Sequence, residues 1–344
     1  MELTFLFGII IVILALAFAF SNGFNDAANA VATVISTRAI SPTTGIIIAG
    51  ICEFIGAYFL GTAVAQTIGK GIVNLEVVSG SKYGIIVVFA TIIGSTLWNI
   101  LCTILGFPIS ASHSLIGGFI GAGIFGFGFD VINWANVAMI FFALIIAPLV
   151  GSLASFLLLK TTYFFFKNAT TKINNFFRIL EIIASMNFAL SHGTNDGQKP
   201  MGLIVFSLIV LGLMKPSTGS FVVPKWVVLA CSFFITLGVL IGGWNVIKTV
   251  GSRIFRIRHI HSFSALVSGA IVIYLASFIG LPLLTTHVIS STVMGAGAAE
   301  RFKGVRWTTM KNIFIVWVIT IPATAIFCGL LYILIFRILK FFGL

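Results

Sequence analysis

Charged side chains are scarce in this chain. Asp, Glu, Lys and Arg make up only 8% of its 344 residues, whereas 59% are hydrophobic. A soluble domain carries roughly 25% charged residues, so this chain has too few of them to cover a globular surface. The shortage excludes an ordinary soluble protein, and the mean hydropathy of +1.17 predicts a protein that faces lipid.

Cysteine is also sparse, and the motifs of common metal and serine enzymes are absent. No His-Glu-x-x-His zinc motif and no Gly-x-Ser-x-Gly turn occurs in the sequence. The cysteines lie inside apolar runs without the spacing of metal ligands, so we expect small core residues. They are Cys52, Cys102, Cys231 and Cys328. We predict that the protein is not an enzyme and has no cofactor.

Apolar runs recur from one end of the chain to the other. A membrane-spanning helix needs about 20 apolar residues, and we count about eleven hydrophobic segments (range about 10–12), several too short to span alone. This pattern predicts an all-α polytopic membrane protein, multi-pass in the cell (inner or plasma) membrane. The short segments predict that some helices are discontinuous or re-entrant.

Basic residues outnumber acidic ones by 20 to 8, which gives a formal net charge of +12. They cluster between apolar segments, as the positive-inside rule describes for cytoplasmic loops. Residues 160–178 hold four basic residues and no acid: Lys160, Lys167, Lys172 and Arg178. We interpret the charge as a signal of topology and of contact with the lipid bilayer, and expect no nucleic-acid partner.

The two halves of the chain repeat three motifs in the same order. Residues 21–26 match 191–196, residues 61–69 match 243–251, and residues 106–113 match 280–287. We therefore predict a first transmembrane repeat (residues 1–159), a basic connector (160–178) and a second repeat (179–344). Repeated halves are common in secondary transporters, whose sites lie between the repeats near the middle of the membrane. We expect inverted topology here.

An Asn-Asp pair is the centre of the first repeated motif. Ionisable residues inside a membrane are expensive and mark functional sites by default. At helical spacing each pair shares one face with further polar residues. The two stripes are Asn22, Asn25, Asp26 and Asn29, and His192, Asn195, Asp196 and Lys199. We expect Gly23 and Gly193 to break or kink each helix just before the pair.

The third repeated motif places hydroxyl groups and a histidine after Gly-x-Pro. Pro108 and Pro282 are expected at the first turn of a helix. The hydroxyls that follow would then lie at helix N-termini, which bind oxyanions. For His113 and His287 three roles remain open: ligand, proton carrier or donor to a backbone carbonyl.

Together the motifs supply donors for an anion and carboxylates for a cation. Without a cation, Asp26 and Asp196 would repel an oxyanion by several kcal/mol in a low dielectric. The residues therefore favour cation-coupled anion transport, in which a cation binds before or with the anion.

These motifs resemble those of the inorganic phosphate transporter family. The resemblance rests on residues 23–30 and 192–199 and on the two Pro…His elements, 108–113 and 282–287. It implies phosphate uptake by symport with Na⁺ or H⁺, an inverted-repeat fold and a homodimer. It also implies two sets of site residues. The phosphate ligands are Asn25, Ser110, Ser112, Ser114, Asn195, Thr285, Thr286, His113 and His287. The ion-coupling residues are Asp26, Asn29, Asp196, Asn22 and Glu53, with Asp26 and Asp196 binding Na⁺ if sodium is the coupling ion.

The halves differ in chemistry, and alternatives remain. Glu53 is aligned with Ile235 and Ser110 with Leu284, while Glu181 stands where the family often has Gln. The predicted site is therefore uneven around one phosphate. The alternatives are transport of sulfate or another tetrahedral oxyanion, a passive anion channel, and an intramembrane enzyme.

Overall fold

The computed structural model describes residues 2–79, 81–215 and 222–341, and these are almost entirely helical. The first half of the described chain comprises α1 (Glu2–Ser36), α2 (Pro42–Phe59), α3 (Ala63–Gly71), α4 (Leu75–Val78), α5 (Lys82–Leu105), α6 (Ala111–Phe127) and α7 (Trp134–Phe165). The second comprises α8 (Ile173–Asp196), α9 (Gln198–Val210), α10 (Lys225–Ile241), α11 (Trp244–Lys248), α12 (His259–Phe278), α13 (Thr285–Arg301) and α14 (Trp307–Phe341).

Six of the described helices are long and apolar enough to cross a membrane: α1, α2, α5, α7, α12 and α14. Helix α10 and the segment Trp244–Arg253 pass the same test together, but they are bent by 62° at the break between them. Helix α6 is apolar and shorter, at 17 residues. The prediction of an all-α, multi-pass membrane protein with broken helices is confirmed.

The predicted connector, residues 160–178, is partly helical. Helix α7 continues to Phe165 and α8 begins at Ile173, which leaves only residues 166–172 outside these helices. A basic residue such as Lys160 is tolerated on a helix end because its long side chain carries the charge outward. Its charge therefore signalled the end of a span rather than the start of a loop.

The repeated motifs make equivalent contacts across the two halves. Thr67 Oγ1 donates a hydrogen bond to the Gly280 carbonyl at 2.7 Å, and Thr249 Oγ1 donates to the Gly106 carbonyl at 3.0 Å. The two threonines are aligned in the second motif, and the two glycines in the third. Each half therefore holds the other at matching positions.

The last helix of each half packs against the other half. Helix α6 packs against α14, and α13 packs against α7. A Cβ atom on Gly121 of α6 would overlap the Ala325 carbonyl, and one on Gly295 of α13 would overlap the Ser152 carbonyl. These pairs of helices are in direct backbone contact, so the halves interlock.

The Asn-Asp motif of α1 lies between two buried apolar clusters. Ile11 and Phe18, before the motif, belong to one cluster, whereas Ala27 and Val31, after it, belong to the other. Because well-packed apolar groups lie on both sides, the polar motif is held at a fixed depth along α1.

Gly23 and Gly193 do not break their helices, and that expectation was wrong. Helices α1 and α8 run through them without interruption. A Cβ at Gly23 would overlap the Ile235 carbonyl, and a Cβ at Gly193 would overlap the Glu53 carbonyl. The glycines allow close approach of two backbones, and they place Ile235 and Glu53 at equivalent positions, as the alignment predicted.

The two prolines of the third motif also lie outside the first helical turn. Helix α6 begins at Ala111, where the Ser110 side chain accepts a hydrogen bond from the Ser112 amide at 3.2 Å. Helix α13 begins at Thr285. Pro108 and Pro282 stand in the non-helical segments before them. The hydroxyl groups still lie at the helix N-termini, as predicted.

Candidate functional site

Three carboxylates from three helices surround one histidine. His192 Nδ1 lies 2.8 Å from Glu53 Oε1, and His192 Nε2 lies 3.6 Å from both Asp26 Oδ2 and Asp196 Oδ2. All four side chains are buried. One Asp comes from each Asn-Asp motif, and His192 shares a helix face with Asp196 because it stands one turn earlier. The imidazole therefore joins the equivalent carboxylates of the two halves.

A buried lysine completes the charges at this centre. Lys199 Nζ donates to Asp196 Oδ1 at 2.8 Å and to the Leu283 carbonyl at 3.0 Å. The spacing places Lys199 on the polar stripe, but it is not among the residues predicted above to form the site. Its signal was a cation inside an apolar stretch, which demands a buried partner.

Asp26 is bonded to the start of α13. Its Oδ1 accepts hydrogen bonds from Thr286 Oγ1 at 2.6 Å and from Asn29 Nδ2 at 3.0 Å, and Asn29 also lies 3.2 Å from Thr286 Oγ1. Asn22 Nδ2 lies 3.5 Å from the Asp196 carbonyl, at the limit of a hydrogen bond. The predicted ion-coupling residues are thus brought together, and Thr286 connects them to the predicted anion donors.

Many polar atoms of this site lack a hydrogen-bond partner among the described residues. Buried polar atoms in proteins are normally bonded, so a concentration of unpaired ones indicates a place where a ligand supplies the partners. The unpaired atoms are Asp26 Oδ2, Asp196 Oδ2, His192 Nε2, Asn22 Oδ1, Asn25 Oδ1, Asn29 Oδ1, Ser112 Oγ and both ring nitrogens of His113 and His287. Asp26, His192 and Asp196 each offer one ligand atom, all within 4.8 Å of one another.

The two histidines of the third motif meet. The rings of His113 and His287 are 4.7 Å apart at 74°, and His287 stacks on Trp317 at 3.6 Å. Since neither imidazole is bonded to a described carbonyl, the role of donor to the backbone is not seen in this conformation. The roles of ligand and proton carrier remain.

Comparison with known proteins agrees with this arrangement. A family model described as the phosphate transporter family matches residues 22–328. The chain belongs to this family. It is 41% identical to a probable low-affinity inorganic phosphate transporter of Bacillus subtilis, over 96% of this chain and 98% of the relative. A protein of the same description from Rhizobium meliloti is 38% identical over 96% and 98%.

A solved structure has the same fold. It is titled "The sodium-dependent phosphate transporter", with a TM-score of 0.88 and 28% identity over 96% of this chain and 99% of that chain. The resemblance seen in the two Asn-Asp motifs is therefore confirmed. Membership of the phosphate transporter family also removes the intramembrane enzyme as an alternative.

Two of the predicted phosphate ligands are occupied by protein contacts. Asn195 donates to Ser277 Oγ at 3.0 Å and to the Leu281 carbonyl at 3.1 Å, while its Oδ1 accepts from the Leu283 amide at 3.1 Å. Both amide hydrogens are used, so Asn195 holds the segment before α13 in place. The Ser114 hydroxyl similarly lies 2.6 Å from Asn99 Oδ1.

Other predicted phosphate ligands have polar atoms that make no hydrogen bond within the described chain. Asn25 donates to Thr103 Oγ1 at 2.6 Å, which leaves its Oδ1 unpaired. Ser112 Oγ is unpaired at the start of α6. Ser110 caps that helix by accepting the hydrogen bond from the Ser112 amide, which leaves its own hydroxyl hydrogen available as a donor. Thr285 is the first residue of α13.

Sequence reasoning missed the residues that support this site from other helices. Asn99 and Thr103 of α5 connect α1 and α6, and Trp317 of α14 donates to the Pro108 carbonyl at 2.9 Å while covering His287. An amide inside an apolar run was a usable signal for Asn99. A tryptophan in an apolar span gives no such signal.

Glu181 belongs to a different network. Its Oε1 lies 2.6 Å from His259 Nδ1 and 2.8 Å from Thr37 Oγ1. These contacts tie the end of α1 to the start of α12. Glu181 therefore does not join the ring of carboxylates around His192.

Proposed function

We propose that the protein takes up inorganic phosphate by symport with a cation, Na⁺ or H⁺. The observation that carries the proposal is the pair of unbonded carboxylate oxygens, Asp26 Oδ2 and Asp196 Oδ2, each 3.6 Å from His192 Nε2. A cation there faces one carboxylate from each half. It is either a metal ion between the two oxygens or a proton on one of the two carboxylates.

The charges at the centre explain why phosphate needs a companion cation. Three carboxylates (Asp26, Glu53 and Asp196) face one lysine and one imidazole. Even with a protonated imidazole the group carries an excess negative charge, which repels an anion strongly in a low dielectric. One bound cation removes that excess.

Thr286 supplies a link between cation and phosphate. Its hydroxyl has one hydrogen, which Asp26 accepts in this conformation. A cation on Asp26 competes for the same carboxylate and frees the hydrogen for a phosphate oxygen. Backbone amides at the start of α13 add further donors. Coupling then follows because phosphate gains a donor only after the cation has bound.

The site residues are buried, so phosphate enters only after helices move. Asp26, His192, Lys199 and Thr286 are each no more than 1% exposed. We place the site between two inverted repeats near the middle of the membrane, where such folds alternate access by rocking one repeat against the other. We also propose that the protein forms a homodimer. Measuring the mass of the purified protein in detergent tests this.

Uptake by proteoliposomes tests the function. Labelled phosphate is expected to accumulate only when a Na⁺ gradient or a pH gradient is imposed, and the two gradients applied separately identify the coupling ion. Excess sulfate is expected to compete poorly. Efficient competition by sulfate would favour the wider oxyanion transporter, and downhill flux without either gradient would favour the channel.

A further inference from the structure

A cavity of about 910 Å³ opens between the start of α1, the start of α5 and the end of α14. Apolar side chains form much of its wall, among them Phe7, Ile86 and Phe89. Lys82 and Lys340 also line it. Its size falls within the roughly 300–1,000 Å³ of ligand sites in proteins.

The aligned place in the second half is filled. Phe7 and Phe89 align with Phe177 and Phe263, and both aromatic pairs touch, with ring centroids at 6.0 and 5.7 Å. In the second half, Phe166 at the end of α7 packs on Phe177 at 5.4 Å.

At the aligned place on α14 the ring of Phe336, which also lines the cavity, lies one turn before the position of Phe166. Leu339 and Lys340 line the cavity there instead. The side chains that line this space therefore differ from those at the aligned place formed by α7, α8 and α12.

Two lysines line this cavity and have no ion-pair partner among the described residues. Among the side chains that the structure describes, no carboxylate forms an ion pair with Lys82 or Lys340. Lys82 is the first residue of α5, and Lys340 lies one residue before the end of α14. Both helices are candidate spans. The lysines are therefore at the level of lipid headgroups, where cations attract anionic lipid.

We propose that this groove binds an anionic phospholipid. Its acyl chain lies along Phe7, Ile86 and Phe89, and its phosphodiester lies between Lys82 and Lys340. An apolar wall beneath paired cations matches a molecule with an apolar tail and an anionic head. Free phosphate has no apolar part to occupy the wall.

Native mass spectrometry of the purified full chain tests this assignment. The probes are phosphatidylglycerol and phosphatidylcholine with the same acyl chains. Two lysines acting on one net negative lipid predict a preference of about 25-fold for phosphatidylglycerol. The double variant Lys82→Gln/Lys340→Gln is expected to lose most of that preference. Inorganic phosphate in large excess is expected not to displace the lipid.

The matched control is Lys160→Gln/Lys167→Gln, in the last turns of α7 and just after it, where each lysine lies over a phenylalanine ring. It is expected to keep the wild-type preference, and size-exclusion chromatography checks that both double variants are folded. Equal binding of the two lipids by the wild type would overturn the proposal. So would an unchanged preference in Lys82→Gln/Lys340→Gln, displacement by phosphate, or a second copy of the chain on this groove.

Discussion

Thr286 donates its hydroxyl hydrogen to Asp26 Oδ1 at 2.6 Å, across 260 positions of sequence. The contact joins the carboxylate of one half to the helix start of the other. Because a hydroxyl has a single hydrogen, Asp26 and a phosphate oxygen cannot both receive it. We therefore propose that this pair couples cation binding at Asp26 to phosphate binding at Thr286.

Replacing Thr286 with Val removes the hydroxyl and keeps the branched shape. Loss of one hydrogen bond to a charged phosphate is worth about 1.5–3 kcal/mol, so the KM for phosphate is expected to rise about 10- to 100-fold. The KM is also expected to fall less steeply as cation concentration rises, because the cation still reduces the repulsion of phosphate but no longer frees a hydroxyl donor. Initial uptake rates over a grid of both concentrations measure this. Thr286→Ser is expected to restore both properties, and wild-type behaviour of Thr286→Val would exclude the link.

Asp26→Asn and Asp196→Asn are expected to abolish coupled uptake while leaving folded protein in the membrane. Each change replaces a carboxylate with a neutral group of the same size, so a cation between the two motifs loses one of its two anionic ligands. Labelled-phosphate uptake and size-exclusion profiles check the two parts. Asp130→Asn is the control, since Asp130 is exposed in the turn after α6. Full uptake by both site variants would refute the role of the pair.

Lys199→Met is expected to lower the free energy of unfolding by about 3–5 kcal/mol, because it leaves Asp196 buried without its cation. The double variant Lys199→Met/Asp196→Asn is expected to recover most of the lost free energy of unfolding. It is still expected to show no cation-coupled phosphate uptake. Unfolding in detergent measures the first effect, and proteoliposome uptake measures the second. The exposed Lys303→Met serves as the control. If the double variant were no more stable than the single one, the ion pair would not be the cause.

Gly23→Ala and Gly193→Ala are expected to destabilise the fold by about 1–3 kcal/mol or more, because overpacking forces two backbones apart. The added methyl group at each would overlap a carbonyl oxygen. Gly151→Ala in α7 is the matched control, since the nearest atom there is the Ser291 side-chain oxygen, at 3.2 Å. The melting temperature in detergent checks the difference, and equal values for all three would contradict the packing role.

The sequence predicted the parts of the site that are rare in their surroundings. Asp26 and Asp196 stand out because a carboxylate inside an apolar run is costly. Because the Asn-Asp pair occurs in both halves, a chance polar contact between helices does not explain it. The aligned threonines, Thr67 and Thr249, placed the second motif correctly. The recurring apolar segments alone were enough to predict an all-α membrane fold.

Other features depend on contacts between distant segments, which no local pattern reveals. Gly23 looked like a helix breaker, but its effect is set by the Ile235 carbonyl that packs on it. Asn195 looked like a ligand, but the segment before α13 uses its amide. The stacking of Trp317 on His287 arises only because α14, which packs against α5 and α6, also reaches the start of α13.

The interlocking of α6 with α14 bears on how the chain is made. Helix α6 ends at Phe127 and α14 begins at Trp307, so the partner of α6 emerges about 180 residues later, or about 10–40 seconds at usual synthesis rates. During that interval the glycine-rich face of α6 has no α14 to cover it. The first half therefore waits for α14 to be synthesised, and a nascent chain cut before α14 presents quality-control proteases with an unfinished membrane domain.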